Sequence, residues 1–215
     1  MILFRSMSNT LKISILSYPL WPGLSYLYKK FVRDDDNFAS RYYSSVHACI
    51  SSCNAASYLL GYTNLSTFTS LQGISVSYAL YDSINLCLNR DYTMVLHHAL
   101  MVFGNVPYLI PRLSDGLYFR YNSCLSRLFL AETSTPFLNN CWVLLKTNRT
   151  KSLKFKLNVY VTLLSSLIFR VINTTYINYL LYQDGQYIYL PVSLTFMCLN
   201  YYWFYKMIRK KQELS

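Results

Sequence analysis

The sequence predicts an all-α, multi-pass transmembrane helix bundle of six core spans preceded by a short N-terminal membrane segment. Three observations carry this. The 215 residues are 53% hydrophobic and only 13% charged, against a usual charged share of roughly 25%. Six uncharged or nearly uncharged runs each reach the ~20 residues that a helix needs to cross a bilayer. No run alternates for long enough to suggest a barrel. Mean hydropathy is a modest +0.19, because serine, asparagine and 22 tyrosines dilute the apolar runs. A membrane protein with a polar interior has this composition.

Residues 13–28 are uncharged but short, and Pro19 and Pro22 interrupt them. They read as a kinked span, a half-span or an interfacial segment, without a signal-peptide cleavage pattern. A charged connector, 29–43, follows and carries Asp34, Asp35 and Asp36. The six spans are 44–62, 68–88, 92–111, 121–145, 157–182 and 187–205. Pro107, Pro111, Pro136 and Pro191 lie within them or at their ends, where a kink or a helix start is expected. Residues 1–37 form an N-terminal segment, 38–210 the main domain and 211–215 a tail.

The loops orient the bundle. Lys146, Arg149, Lys151, Lys154 and Lys156 crowd one connection, and Lys206, Arg209, Lys210 and Lys211 the C-terminal end, while loops 63–67 and 183–186 hold no Lys or Arg. Basic loops stay cytosolic, so 29–43, 89–91, 146–156 and the C-terminus belong on that side. Loop 112–120, with Arg112 and Arg120, is the exception. Glycosylation of the sequon at Asn148, rather than the one at Asn64, would reverse the orientation. The net charge of +11 sits between apolar runs rather than along a stripe, which favours membrane flanks and membrane-lipid partners over nucleic acid. The six cysteines show no metal-ligand spacing and read as small buried hydrophobes.

Each span carries a polar stripe at helical spacing. The stripes are His47, Ser51 and Asn54; Ser75, Tyr78, Asp82 and Asn85; His98 and Asn105; Glu132, Thr135, Asn139 and Trp142; Arg170 and Asn173; and Ser193, Met197 and Asn200. Lipid rejects such stripes, so they should face one another around a polar interior. His47, Tyr78, Glu132, Asn139, Arg170 and Asn200 are its candidate lining. Ion pairs of Asp82 or Glu132 with Arg127 or Arg170 would hold it together. The adjacent His97 and His98 are candidate catalytic groups, with Asp82 as the carboxylate that orients one of them. They lie about 100° apart on a helix, so the two cannot face one partner squarely. The short turn 89–91 makes their helices antiparallel neighbours, and places Asp82 and the histidines ~10 Å from the same end.

SRYYSSVHA (40–48), SYALYD (77–82), LHHALM (96–101), ETSTPFLNN (132–140) and LNYYWFYKMI (199–208) occur in the order found in the TLC-domain family, which the chain resembles over roughly 38–210. ETSTPFLNN resembles most the small members of the type-4 subgroup. The resemblance implies a helix bundle of the endoplasmic reticulum or a related endomembrane and a link to lipid metabolism. His97 and His98 match the histidine pair that ceramide synthases need for acyl transfer from acyl-CoA. Those synthases carry a histidine and two aspartates one helix later, whereas here that region has Glu132 as its only carboxylate. Three functions remain open: lipid binding and homeostasis through a polar interior, with no cofactor; acyl transfer using His97 or His98 with Asp82 and Glu132, with acyl-CoA as co-substrate; and a trafficking adaptor without chemistry.

Overall fold

The computed structural model describes residues 7–109 and 118–214, and every regular element among them is helical. Among the described residues ten α-helices follow one another: α1 (Asn9–Ser17), α2 (Leu20–Phe31), α3 (Asp36–Leu59), α4 (Leu65–Leu88), α5 (Tyr92–Leu109), α6 (Tyr118–Phe129), α7 (Thr135–Lys146), α8 (Leu153–Ser165), α9 (Asn173–Gln183) and α10 (Leu190–Leu214). A 3-10 segment, Leu130–Ser134, joins α6 to α7, and a π segment, Ser166–Ile172, joins α8 to α9. Pro111 and Arg112 lie outside the described residues.

Local chemistry sets the boundaries. Ser8, Asp35, Asn64 and Ser152 each cap a helix by accepting from a backbone N–H two or three residues on. Asp91 does the same for Met94 at the start of α5. Arg90, with φ of 57°, makes the tight turn between α4 and α5. Pro19 splits the N-terminal segment into α1 and α2, of 9 and 12 residues, each too short to cross ~30 Å of hydrocarbon.

The 121–145 run is not one straight span. Pro136 has no N–H to bond the Glu132 carbonyl, and the Thr135 N–H takes that carbonyl instead, so the chain tightens into the 3-10 segment. The 157–182 run lies inside a 31-residue helix, Leu153–Gln183, which by length and hydropathy can cross a membrane. No other helix among the described residues meets both criteria: α1, α2, α6 and α7 are short, and polar stripes lower the hydropathy of the longer ones.

The bundle is built inside out relative to a water-soluble protein. Along α8 and α9 the buried positions include Asn158, Thr162, Ser166, Arg170, Thr174 and Asn178. The exposed positions include Leu157, Tyr160, Leu164, Ile168, Ile172 and Tyr179. Cys49, Cys53, Cys87 and Cys198 are exposed rather than buried, and only Cys124 and Cys141 are interior. Polar side chains have taken the inward faces that these thiols were expected to occupy.

Helix α3 packs against α2, α4, α6 and α7, α4 pairs with α5, and α10 closes the bundle between α5 and α9. Helix α1 lies along α4, and Gly73 is the reason it can. A Cβ there would meet Ser14 N at 2.8 Å, Ile13 Cβ at 3.0 Å and the Thr10 carbonyl oxygen still more closely. Backbone on the far side cannot yield as a side chain would. Gly73→Ala is expected to cost about 3 kcal/mol, the upper end of overpacking penalties, read as a lowered unfolding midpoint in detergent. An unchanged midpoint would mean that α1 does not rest on α4.

Candidate functional site

The two histidines of α5 face in different directions, and each meets its own carboxylate. His98 Nδ1 lies 3.8 Å from Asp82 Oδ2, whereas His97 Nε2 lies 3.5 Å from Glu132 Oε1. The roughly 100° between successive helical positions sends one side chain toward α4 and the other toward the 3-10 segment. Both imidazoles are buried.

The Asp82 side is filled by packing. The hydroxyls of Tyr43 and Tyr78 donate to its two carboxylate oxygens at 2.9 and 3.3 Å. The Tyr78 ring stacks on His47, with centroids 3.9 Å apart, and meets His98 edge-on at 5.4 Å. His47 Nε2 bonds Ser51 Oγ at 2.8 Å, which in turn bonds Ser75 Oγ at 2.7 Å. Trp21 is fully buried against both His47 and Tyr78, and its Nε1 donates to Ser77 Oγ at 2.9 Å. Every helix from α2 to α5 contributes to this plug.

The Glu132 side differs in being both relayed and open. Thr135 Oγ1 donates to Glu132 Oε2 at 2.8 Å and accepts from Arg170 Nη2 at 2.8 Å. Arg170 Nε donates to Ser134 Oγ at 2.6 Å, and Nη1 to Asn200 Oδ1 at 3.4 Å. The chain His97–Glu132–Thr135–Arg170–Asn200 thus crosses from α5 through the 3-10 and π segments to α10. Arg170 lies in the π segment, an irregularity that recurs at functional sites. His97 is held between Phe196, stacked at 5.1 Å, and Trp203, edge-on at 5.3 Å. Nε2 is turned to the carboxylate, and Nδ1 is buried with no hydrogen-bond partner.

His97 and Glu132 also line a narrow, mainly apolar cleft between α5, α6, α9 and α10. Its walls step along α5 from His97 to Gly104 and along α10 from Phe196 back to Tyr189, the residue before that helix begins, about 10 Å on each. Leu125, Leu128, Ile177 and Leu181 complete them. The polar lining comprises His97, Glu132 and the Ser193 hydroxyl, which is buried without a partner.

Of the residues singled out in the sequence, His97 and Glu132 therefore line one cleft, and Arg170 and Asn200 stand behind it. Asp82, His98, His47 and Tyr78 form the separate plug. Asn139 belongs to neither: its amide donates to the Arg41 carbonyl at 3.2 Å and to Ser45 Oγ at 3.0 Å, pinning α7 to α3. The 3-10 turn rotates it off the face that Glu132 and Thr135 share. Arg127 makes no ion pair with Asp82 or Glu132 and lies 5.2 Å over the Tyr176 ring. Thr135 stood in the sequence stripe without a role, whereas Ser134, Tyr43 and Trp21 carried no signal, since nothing in their spacing says which helix they will meet. Among the described residues no cluster of three His, Cys, Asp or Glu is placed to hold a metal.

A family model described as the TLC domain matches residues 6–209, which takes in α1 and α2 as well as the later helices. No solved structure matches the chain.

Proposed function

The chain belongs to the TLC-domain family, and from that premise we propose that it is a multi-pass membrane protein that binds a lipid or acyl chain in the cleft ending on His97 and Glu132. The observation carrying this is the cleft's polarity. About 10 Å of apolar wall runs from a buried ion-pairing end, as an acyl chain runs from its head group. The inside-out burial along α8 and α9 supports the membrane setting, and the positive-inside rule supports a cytosolic C-terminus. Family membership supports a place in lipid homeostasis of an endomembrane.

A second reading, acyl transfer, is favoured by one specific combination: the Nδ1 of His97 is partnerless, as is that of His98, but only His97 lines the cleft. In such a reaction that nitrogen takes the proton of an incoming amine or hydroxyl while Glu132 stabilises the imidazolium. The nucleophile forms an amide or ester with the acyl carbon. The thioester bond to coenzyme A breaks, and the departing thiolate takes the proton from His97. The Asp82–His98 plug has no such opening.

Gly104 offers a direct test. A Cβ at this position meets only Leu125 Cδ1, at 3.4 Å, so a small side chain is tolerated, while a leucine projects into the cleft. Gly104→Leu is expected to purify folded but to lose at least ~10-fold in co-purifying lipid by mass spectrometry, since blocking the cleft removes more than ~1.4 kcal/mol of apolar contact. Unchanged lipid content would place the lipid elsewhere.

A further inference from the structure

A second groove shares no lining residue with the proposed lipid site. It runs between α7, α8 and α10, with Arg41 of α3 at its edge. Its floor is apolar, made by Leu138, Trp142 and Leu145 of α7 and by Val159 and Leu163 of α8. Lys206, Lys210 and Lys211 of α10 line it as well. An adjoining hollow shares Phe155, Val159 and Lys211 with it and adds Lys151 and Lys156.

The carboxylates of the connector on this side are already engaged, Asp34 and Asp36 with Lys29 and Asp35 with Arg33, so this cationic end is short of counter-charge. There is no Asp or Glu between Thr135 and Tyr182, nor between Gly185 and Gln212. Glu213 follows, but it is already engaged: Lys210 donates to it at 2.9 Å and holds its carboxyl below the usual range. Three of the other cations rest on aromatic faces, Lys211 over Tyr160 at 4.6 Å, Lys206 over Tyr202 at 5.1 Å and Arg41 over Trp142 at 5.2 Å. Trp and Tyr favour the depth of the lipid head groups. From Phe155 to Leu163 the floor extends about 12 Å along α8, and the neighbouring Leu157, Tyr160 and Leu164 are exposed. Charge at one end and a continuous apolar track at the other match the polarity of a phospholipid, which a free phosphate or a nucleic acid does not reproduce.

We propose that this groove is a binding site for an anionic glycerophospholipid of the leaflet facing the basic end of the bundle, with its phosphate and head group among Lys206, Lys211 and Lys151 and one acyl chain along Val159 and Leu163. The site is separate from the His97 cleft and rests only on the bundle being embedded in a membrane.

Trp142 in the floor supplies the readout. The full chain is reconstituted into phosphatidylcholine vesicles containing a small fraction of brominated phosphatidylserine or of brominated phosphatidylcholine. Emission from Trp142 is isolated by subtracting the Trp142→Phe variant. Brominated phosphatidylserine is expected to quench Trp142 at several-fold lower mole fraction than brominated phosphatidylcholine. Lys206→Gln and Lys211→Gln should each reduce this preference about fivefold. Both side chains are solvent-accessible at the end of α10, so the fold is retained, and Lys206→Arg should restore the preference. Lys30→Gln, on α2 and outside the groove lining, reports diffuse attraction and should leave it unchanged, as should Gly104→Leu in the separate cleft. Equal quenching by the two lipids would overturn the proposal. So would a loss with Lys30→Gln as large as with Lys206→Gln, or full displacement by water-soluble glycerophosphoserine at the same concentration.

Discussion

Arg170→Ala is expected to lower the unfolding midpoint in detergent by roughly 10 °C. The guanidinium is buried and donates to Ser134, Thr135 and Asn200, so one side chain joins the π segment to the 3-10 segment and to α10. Alanine removes those donors and strands Glu132 in the interior with only Thr135 and His97 beside it. Arg170 and Glu132 make no direct ion pair and meet through Thr135, yet removing one of two buried charges that offset each other costs ~3–5 kcal/mol, and for a chain near this length each kcal/mol is worth ~2–4 °C. The same reasoning requires that removing both charges cost less than removing one. Arg170→Met combined with Glu132→Gln should therefore recover part of the loss. A single variant that melts within 2 °C of the parent, or a double variant that melts lowest of all, would mean that the two groups do not share their charge.

The same arginine shows where sequence stops being informative. Its place in an apolar run marks it as interior, and its burial agrees. Its partners are another matter, because they depend on two departures from α geometry. Pro136 is visible and signals a break, but the 3-10 turn that turns Glu132 and Thr135 one way and Asn139 another has no mark in hydrophobic spacing. Nor does the π segment that carries Arg170. For Asp82 the spacing sufficed: a short turn between two regular helices fixes depth, and His98 is 3.8 Å from it. Regular helices can be extrapolated from spacing. The cleft walls, drawn from four helices distant in sequence, cannot.

His97→Gln and His98→Gln are expected to behave oppositely, although the two residues are adjacent and both buried. Glutamine keeps most of the side-chain volume, so neither change opens a large hole. At position 97 it removes the imidazole that faces Glu132 and lines the cleft. At position 98 it disturbs a ring packed edge-on to Tyr78 beside Asp82, away from the cleft lining. If the chain transfers acyl groups, losing the general base lowers turnover ~10²- to 10⁴-fold, and His97→Gln should do so with little change in unfolding midpoint. His98→Gln should instead lower the midpoint by a few degrees and leave turnover of the folded fraction within about threefold, since it deletes no group in contact with substrate. If the chain only holds lipid, the same asymmetry appears in the lipid that co-purifies, with His97→Gln altering its amount or head-group class and His98→Gln altering neither. Labelled acyl-CoA turnover and lipid mass spectrometry on the two variants, each alongside a melting curve, read all of these at once. Equal functional losses would place Asp82 and His98 in the working site. A reversed order would move that site to the α4 side of α5, where Tyr43 and Tyr78 already occupy both oxygens of the Asp82 carboxylate and would have to give way before any ligand could reach it.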